Sequence, residues 1–171
     1  MRNKRLRHLC LAGLFSAAVF VLTAYLHIPS HTGYTHVGDG VIFLAAAVLP
    51  LPYAVATGVI GASLADLLTG YAIWAPASVV IKALIVLPFS HGKGSILTVR
   101  NLLSLIPAAC LTAGGYYLYE VLLTQNAIAP LLGIPGYITQ FVLSTVLFIA
   151  AGTAIDSIKK HKHTKNGDIE L

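Results

Sequence analysis

Six apolar runs separated by short polar stretches account for most of this 171-residue chain. The first reads as a helix from about His8 to His27 and stops at Ile28-Pro29, because the residue before a proline is steered out of the helical region. The second, Val37 to Leu49, would cover only ~20 Å as a helix, short against a hydrocarbon core of roughly 30 Å, so it either starts deep or sits buried among its neighbours. Pro50-Leu51-Pro52 predicts a tight turn into a third helix ending near Gly70. Pro76 suits the first turn of a fourth, reaching about Phe89. A fifth is expected over about Asn101 to Gln125 and a sixth over about Gly136 to Ile158. Between the first two runs, Pro29 to His36 reads as a polar loop. After the sixth, KKHKHTKNGDIEL is expected to be a disordered charged tail. No run shows the ~10-residue alternation of a membrane β-barrel.

Composition settles the class. The chain is 57% hydrophobic and 10% charged, with mean hydropathy +0.81, against the roughly 25% charge of soluble domains. The reading is an all-α membrane protein, a compact bundle of six transmembrane helices, with one domain over residues 1–158 and a tail over 159–171. Of the 11 Lys and Arg, all but Lys82 fall at the chain ends or between helices four and five. In a six-helix arrangement these places share one side, which puts both termini in the cytoplasm. The same distribution explains the formal charge of +5 without nucleic acid, since basic residues interleaved with aromatics are missing. The first run is long enough to span and is read as a retained helix rather than a cleaved signal. Cys10 and Cys110 lie in apolar runs without ligand spacing and are taken as packing residues.

Four ionisable residues interrupt the apolar runs: Asp39, Asp66, Lys82 and Glu120. Counted from the helix ends, all fall in the outer third of the bundle. Such groups are costly inside a membrane and face a bundle interior or a wet cavity, paired with one another. Asp66 and Lys82, at similar depth on consecutive antiparallel helices, are expected to form an ion pair that either locks two helices in register or orients a ligand. Asp39 either caps helix two or joins the site, and Glu120 is either solvated at the interface or part of the same cluster. Tyr34, Tyr71, Trp74, Tyr116, Tyr117, Tyr119 and Tyr137 fall at this level. Most suit an ordinary interfacial belt, whereas Tyr71 and Trp74 bracket the loop between the charged helices and are candidates for stacking or a lid. His27, His31 and His36 have no metal-site geometry; His36, nearest Asp39, is the one placed to touch a ligand. No HExxH, Walker A or GxSxG pattern is present. The chain is therefore read as non-enzymatic, without cofactor or metal, the alternative being a small membrane enzyme that uses Asp39 and Asp66.

In helix one, Ala12 with Ser16 and Gly13 with Ala17 form small-xxx-small pairs, suited either to internal packing or to a partner helix. Together, LAGLFSAA in this helix, GYTHVGDGVIFLAAAVLP and GASLADLLTGYAIWAPASVVIKAL resemble the S component, the substrate-binding membrane subunit, of energy-coupling factor (ECF) vitamin transporters. The resemblance covers most of residues 8–156 and is specific across about 33–84. It implies a bacterial plasma-membrane protein that captures a vitamin or precursor from outside and works with a coupling membrane subunit and two ATPases. The family's helix-one motif AxxxA, which meets the coupling subunit, reads here as Ala12-x-x-x-Ser16 or Gly13-x-x-x-Ala17. The family's ligand position implies Tyr34, His36, Asp39, Asp66, Tyr71, Trp74 and Lys82 as binding residues, with Glu120 added by depth. Among such subunits the motifs look most like those for a cobalamin precursor (α-ribazole or benzimidazole), then hydroxymethylpyrimidine or pyridoxine.

Overall fold

The computed structural model describes residues 2–29, 33–92 and 94–167. It contains six α-helices: α1 (Arg2–Ala24), α2 (Gly38–Val48), α3 (Leu51–Leu68), α4 (Ala75–Ile85), α5 (Val99–Thr124) and α6 (Ile134–Gly167). Four are long and apolar enough to cross a membrane: α1, α3, α5 and the span ending in α6. The 11-residue α2 and α4 are shorter, and α2 has taken the buried alternative, since only Val48 of its residues is not buried. That explains its run of Val, Ile, Phe, Leu and Ala on every face.

The outer faces of the long helices carry Leu14, Leu68, Ile106, Leu122 and Val146, all more than half exposed. A soluble fold would not expose so much large apolar surface, whereas lipid accepts it. Inside, α1 packs on α3, α3 on α4, α4 on α5, and α2 on α6. Close approach depends on missing side chains. A Cβ on Gly61 of α3 would lie 2.7 Å from the Ser16 carbonyl of α1, and one on Gly40 of α2 would lie 2.6 Å from the Ser144 carbonyl of α6.

Several details depart from the sequence expectation. The polar loop before α2 is a small antiparallel hairpin, β1 (His27–Pro29) with β2 (Tyr34–His36), pairing His27 with His36 and Pro29 with Tyr34. His31 lies outside the described residues, as does Lys93 of the charge count. The charged tail is helical as far as Gly167, because α6 continues past Ile158. Asp39 does not cap α2: Val37 holds the cap position without a side-chain bond, and the Asp39 carboxylate is engaged elsewhere. Both cysteines are exposed on the helix surface rather than packed inside.

Candidate functional site

One end of the bundle gathers the hairpin, the N-termini of α2, α4 and α6, and the C-terminal parts of α3 and α5. Between them lies a narrow cavity of about 30 Å³, lined by Gly33, Tyr34, His36, Asp66, Trp74, Tyr116, Tyr137 and Gln140. Each wall has a local cause. The hairpin lays Gly33 against the Trp74 indole, 3.6 Å from where a Cβ would sit. A single 3-10 turn, Ala72–Trp74, runs into α4 and turns the indole inward. Tyr116 and Tyr137 stack at 5.8 Å between centroids, 13° from parallel. The walls are therefore largely aromatic faces, the kind that hold a flat ring system.

Beneath the cavity is a buried ion pair, but not the expected one. Lys82 Nζ donates to Asp39 Oδ1 at 2.7 Å, and both side chains are essentially inaccessible. The expected Asp66–Lys82 pair is thus corrected. α2 is packed within the bundle and points its first turn at α4, so Asp39 reaches the ammonium, while Asp66 near the end of α3 is taken up by the hairpin. Lys82 also sits 5.2 Å from the Tyr116 ring centroid, a cation–π contact. Asp39 Oδ2 accepts from Gln140 Nε2 at 2.8 Å.

Asp66 differs. Tyr34 donates its phenol proton to Oδ1, while Oδ2 is buried with no hydrogen-bond partner among the described residues. Ser78 Oγ also lies near this carboxylate but shares a 2.8 Å hydrogen bond with the Tyr116 hydroxyl. The formal charges of Lys82 and Asp39 cancel, which leaves Asp66 as the uncompensated acid in the cavity wall. Burial, then the Asp66 charge, pushes the Tyr34 phenol well above its usual range, so it stays a donor. His36 is held down to about 4, first by burial. Its Nδ1 accepts from the Gly38 amide at 3.1 Å, a bond available only to the neutral ring.

Of the residues expected from sequence, Tyr34, His36, Asp66 and Trp74 line the cavity. Asp39 and Lys82 lie behind it. Tyr71 packs on the outer side of Tyr34, centroids 4.4 Å apart, and supports that ring rather than the cavity. Glu120 is 2% exposed, so it is not solvated at the interface; it sits beside the Tyr137 hydroxyl. Sequence reasoning missed Gln140 and assigned Tyr116 and Tyr137 to a belt. A buried amide in the apolar run YITQFVL was a usable signal, overlooked because only ionisable residues were counted. Among the described residues no group of three His, Cys, Asp or Glu converges on one point as metal ligands would.

A second feature lies along α1 and α3. Ser16 Oγ donates to the Thr57 carbonyl at 3.3 Å, and Thr57 Oγ1 lies 3.4 Å from the Ala12 carbonyl. Ala12 and Ser16 therefore face α3. Gly13 and Ala17 are exposed, and a Cβ on Gly13 would meet nothing within 4 Å. They border an apolar groove with Phe20, Tyr53 and Ile60.

Residues 3–157 match the family model described as "ECF-type riboflavin transporter, S component". No individually curated protein matches the chain.

Proposed function

The chain belongs to the S components of ECF transporters, which are transport subunits rather than enzymes, and on that premise we propose that it captures riboflavin or a closely related flavin for ATP-driven uptake. What supports the substrate is the family match, whose description names riboflavin, together with Asp66 Oδ2, a buried acceptor with no hydrogen-bond partner among the described residues, in an aromatic cavity. A buried acceptor of this kind favours a ligand that brings an N–H or O–H donor. A flavin offers a flat fused ring for Trp74, Tyr116 and Tyr137, a ring N–H and a polyol chain. α-Ribazole, the first choice from sequence, has the fused ring and sugar hydroxyls but no ring N–H. Pyridoxine and hydroxymethylpyrimidine are single rings that cover less of these walls.

The chain's one tryptophan, Trp74, is in the cavity wall, so its fluorescence reports the site directly. Titration of the purified protein with riboflavin is expected to quench it saturably, with α-ribazole and pyridoxine weaker by at least an order of magnitude. No response to riboflavin, with saturable quenching by α-ribazole, would transfer the assignment.

The site end is read as extracellular. The α1 N-terminus, the α4–α5 loop and the α6 C-terminus hold the Arg and Lys outside the bundle. Asp156 near the end of α6 accepts from the Ile96 and Leu97 amides of that loop, which puts these basic segments together, away from the hairpin. In this arrangement α2 and α4 complete six crossings and leave both termini cytoplasmic. The groove beside Gly13 and Ala17 is assigned to the coupling membrane subunit, which with two ATPases supplies the power stroke. Gly13→Leu is expected to abolish uptake in cells carrying the whole transporter while leaving riboflavin affinity unchanged. Retained uptake would remove this face from the interface.

A further inference from the structure

The Lys82–Asp39 pair does not line the cavity, but the second oxygen of Asp39 reaches a residue that does. Gln140 donates through Nε2 to Asp39 Oδ2 at 2.8 Å while Lys82 occupies Oδ1 at 2.7 Å. All three side chains are at least 97% buried. A carboxylate paired with an ammonium only accepts hydrogen bonds, so the amide nitrogen of Gln140 must face it. That turns Oε1 away from Asp39, on a residue of the cavity wall, and no hydrogen bond to Oε1 occurs among the described residues.

We propose that Lys82 and Asp39 are positioning residues that set Gln140 as a hydrogen-bond acceptor toward the ligand, so that Gln140 Oε1 and Asp66 Oδ2 together select ligands carrying two N–H or O–H donors. The selectivity rests on the chain being a substrate-binding subunit; the amide orientation does not. An unconstrained glutamine presents either face of its amide and discriminates little between donor and acceptor. Tied to an ionised carboxylate, it presents one. The buried pair thus contributes selectivity to the site, while its net stabilisation is small because desolvation offsets the Coulombic gain.

Asp39→Asn tests the orientation because it keeps the shape. Lys82 then donates to Asn Oδ1, so the Asn amide nitrogen faces Gln140, which must accept through Oε1 and present its NH2 to the cavity. Riboflavin affinity, read from Trp74 fluorescence, is expected to fall about 10- to 100-fold. Asp39→Asn combined with Gln140→Glu moves the carboxylate one residue along the relay. It keeps one acid per ammonium, restores an acceptor to the cavity and is expected to recover affinity to within about threefold of the wild type. A merely structural pair predicts no such rescue, and a double variant that binds no better than Asp39→Asn at equal Tm overturns the proposal. If Asp39→Asn does not fold, Asp39→Leu with Lys82→Met removes both charges and frees the amide to present either face, so a smaller loss, about two- to fivefold, is expected, and an affinity equal to that of the wild type overturns the proposal.

A ligand-free arm separates this proposal from the substrate assignment. The chain has two glutamines, Gln125 and Gln140, so selective ¹⁵N labelling gives two side-chain amide signals in detergent. The Gln140 signal is expected to exchange slowly in the wild type, with its shift and exchange rate both altered in Asp39→Asn. An unchanged signal overturns the relay even if riboflavin binds. A failure of riboflavin to bind overturns only the substrate, and the amide measurement still decides the orientation.

Discussion

The two ends of the bundle use their acid and amide side chains in opposite ways. At the end of the α4–α5 loop, Asp156 accepts from the Ser95 hydroxyl and from the Ile96 and Leu97 amides, using both carboxylate oxygens. Asn101 accepts from the Ser90 amide and donates to the Ile96 carbonyl, and Thr98 caps α5 through the Asn101 amide. Those acid and amide side chains are spent on the protein's own backbone. At the hairpin end, Asp66 Oδ2 has no hydrogen-bond partner among the described residues and lies in a cavity wall. Asp156 is partly exposed and fully engaged, whereas Asp66 is buried and keeps an oxygen free of hydrogen bonds among the described residues. The difference teaches that a carboxylate oxygen left unsatisfied beside a cavity, rather than buried charge as such, is the feature that packing alone does not explain.

That contrast divides the hairpin end itself, since the Asp39–Lys82 pair behaves like the closed end. Lys82→Met is expected to have the largest effect on stability, about 3–5 kcal/mol, because it strands the Asp39 carboxylate without its cation. Thermal denaturation in detergent measures it, and a loss under 1 kcal/mol would show that Asp39 is relieved by water. Asp66→Asn should do the reverse. It keeps an acceptor for Tyr34 but turns the open oxygen into an NH2 group. Riboflavin binding is expected to weaken by about 1.5–3 kcal/mol with Tm unchanged; a drop in Tm with intact binding would assign Asp66 to structure. Asp156→Ala, at the opposite end, is expected to cost about 2 kcal/mol of stability through three lost hydrogen bonds, with ligand affinity untouched. An affinity change there would mean that the two ends are coupled.

Helix number, the burial of α2 and the level of the four ionisable residues were legible in the chain because hydrophobic runs, prolines and rise per residue act locally. Partner choice was not. Asp66 and Lys82 were matched by depth on adjacent helices, but depth fixes one coordinate only. Which acid meets Lys82 depends on how α2 rotates against α4 and on where the hairpin lays Tyr34. The same limit hid Gln140, whose role appears only once α2 and α6 are packed together over Gly40. Helix one shows the complementary case. Its small residues were visible, yet telling Ala12-Ser16 from Gly13-Ala17 needed the hydrogen bonds to Thr57, which set the first pair against α3 and leave the second exposed.

His36 gives the smallest effect and the sharpest check on which polar groups at the hairpin end are already satisfied. Its ring is neutral, lowered to about 4 by burial, and its Nδ1 is used by the Gly38 amide at the start of α2. The ordinary value for an unfolded chain is about 6.5. Between the two, the unfolded state binds the proton and the folded state does not, so stability falls as pH drops. Its contribution is fully present above pH 6.5, is lost progressively down to about pH 4 and changes no further below. At pH 5.5 the loss amounts to about 1.4 kcal/mol. His36→Gln preserves a side-chain acceptor for the Gly38 amide and does not titrate, so the difference in Tm between variant and wild type should shift in the variant's favour as pH falls from 7 to 5.5. Parallel pH profiles would mean that protonated His36 is tolerated, with Asp39 as its counter-charge, and would move His36 from the closed to the open side of the comparison.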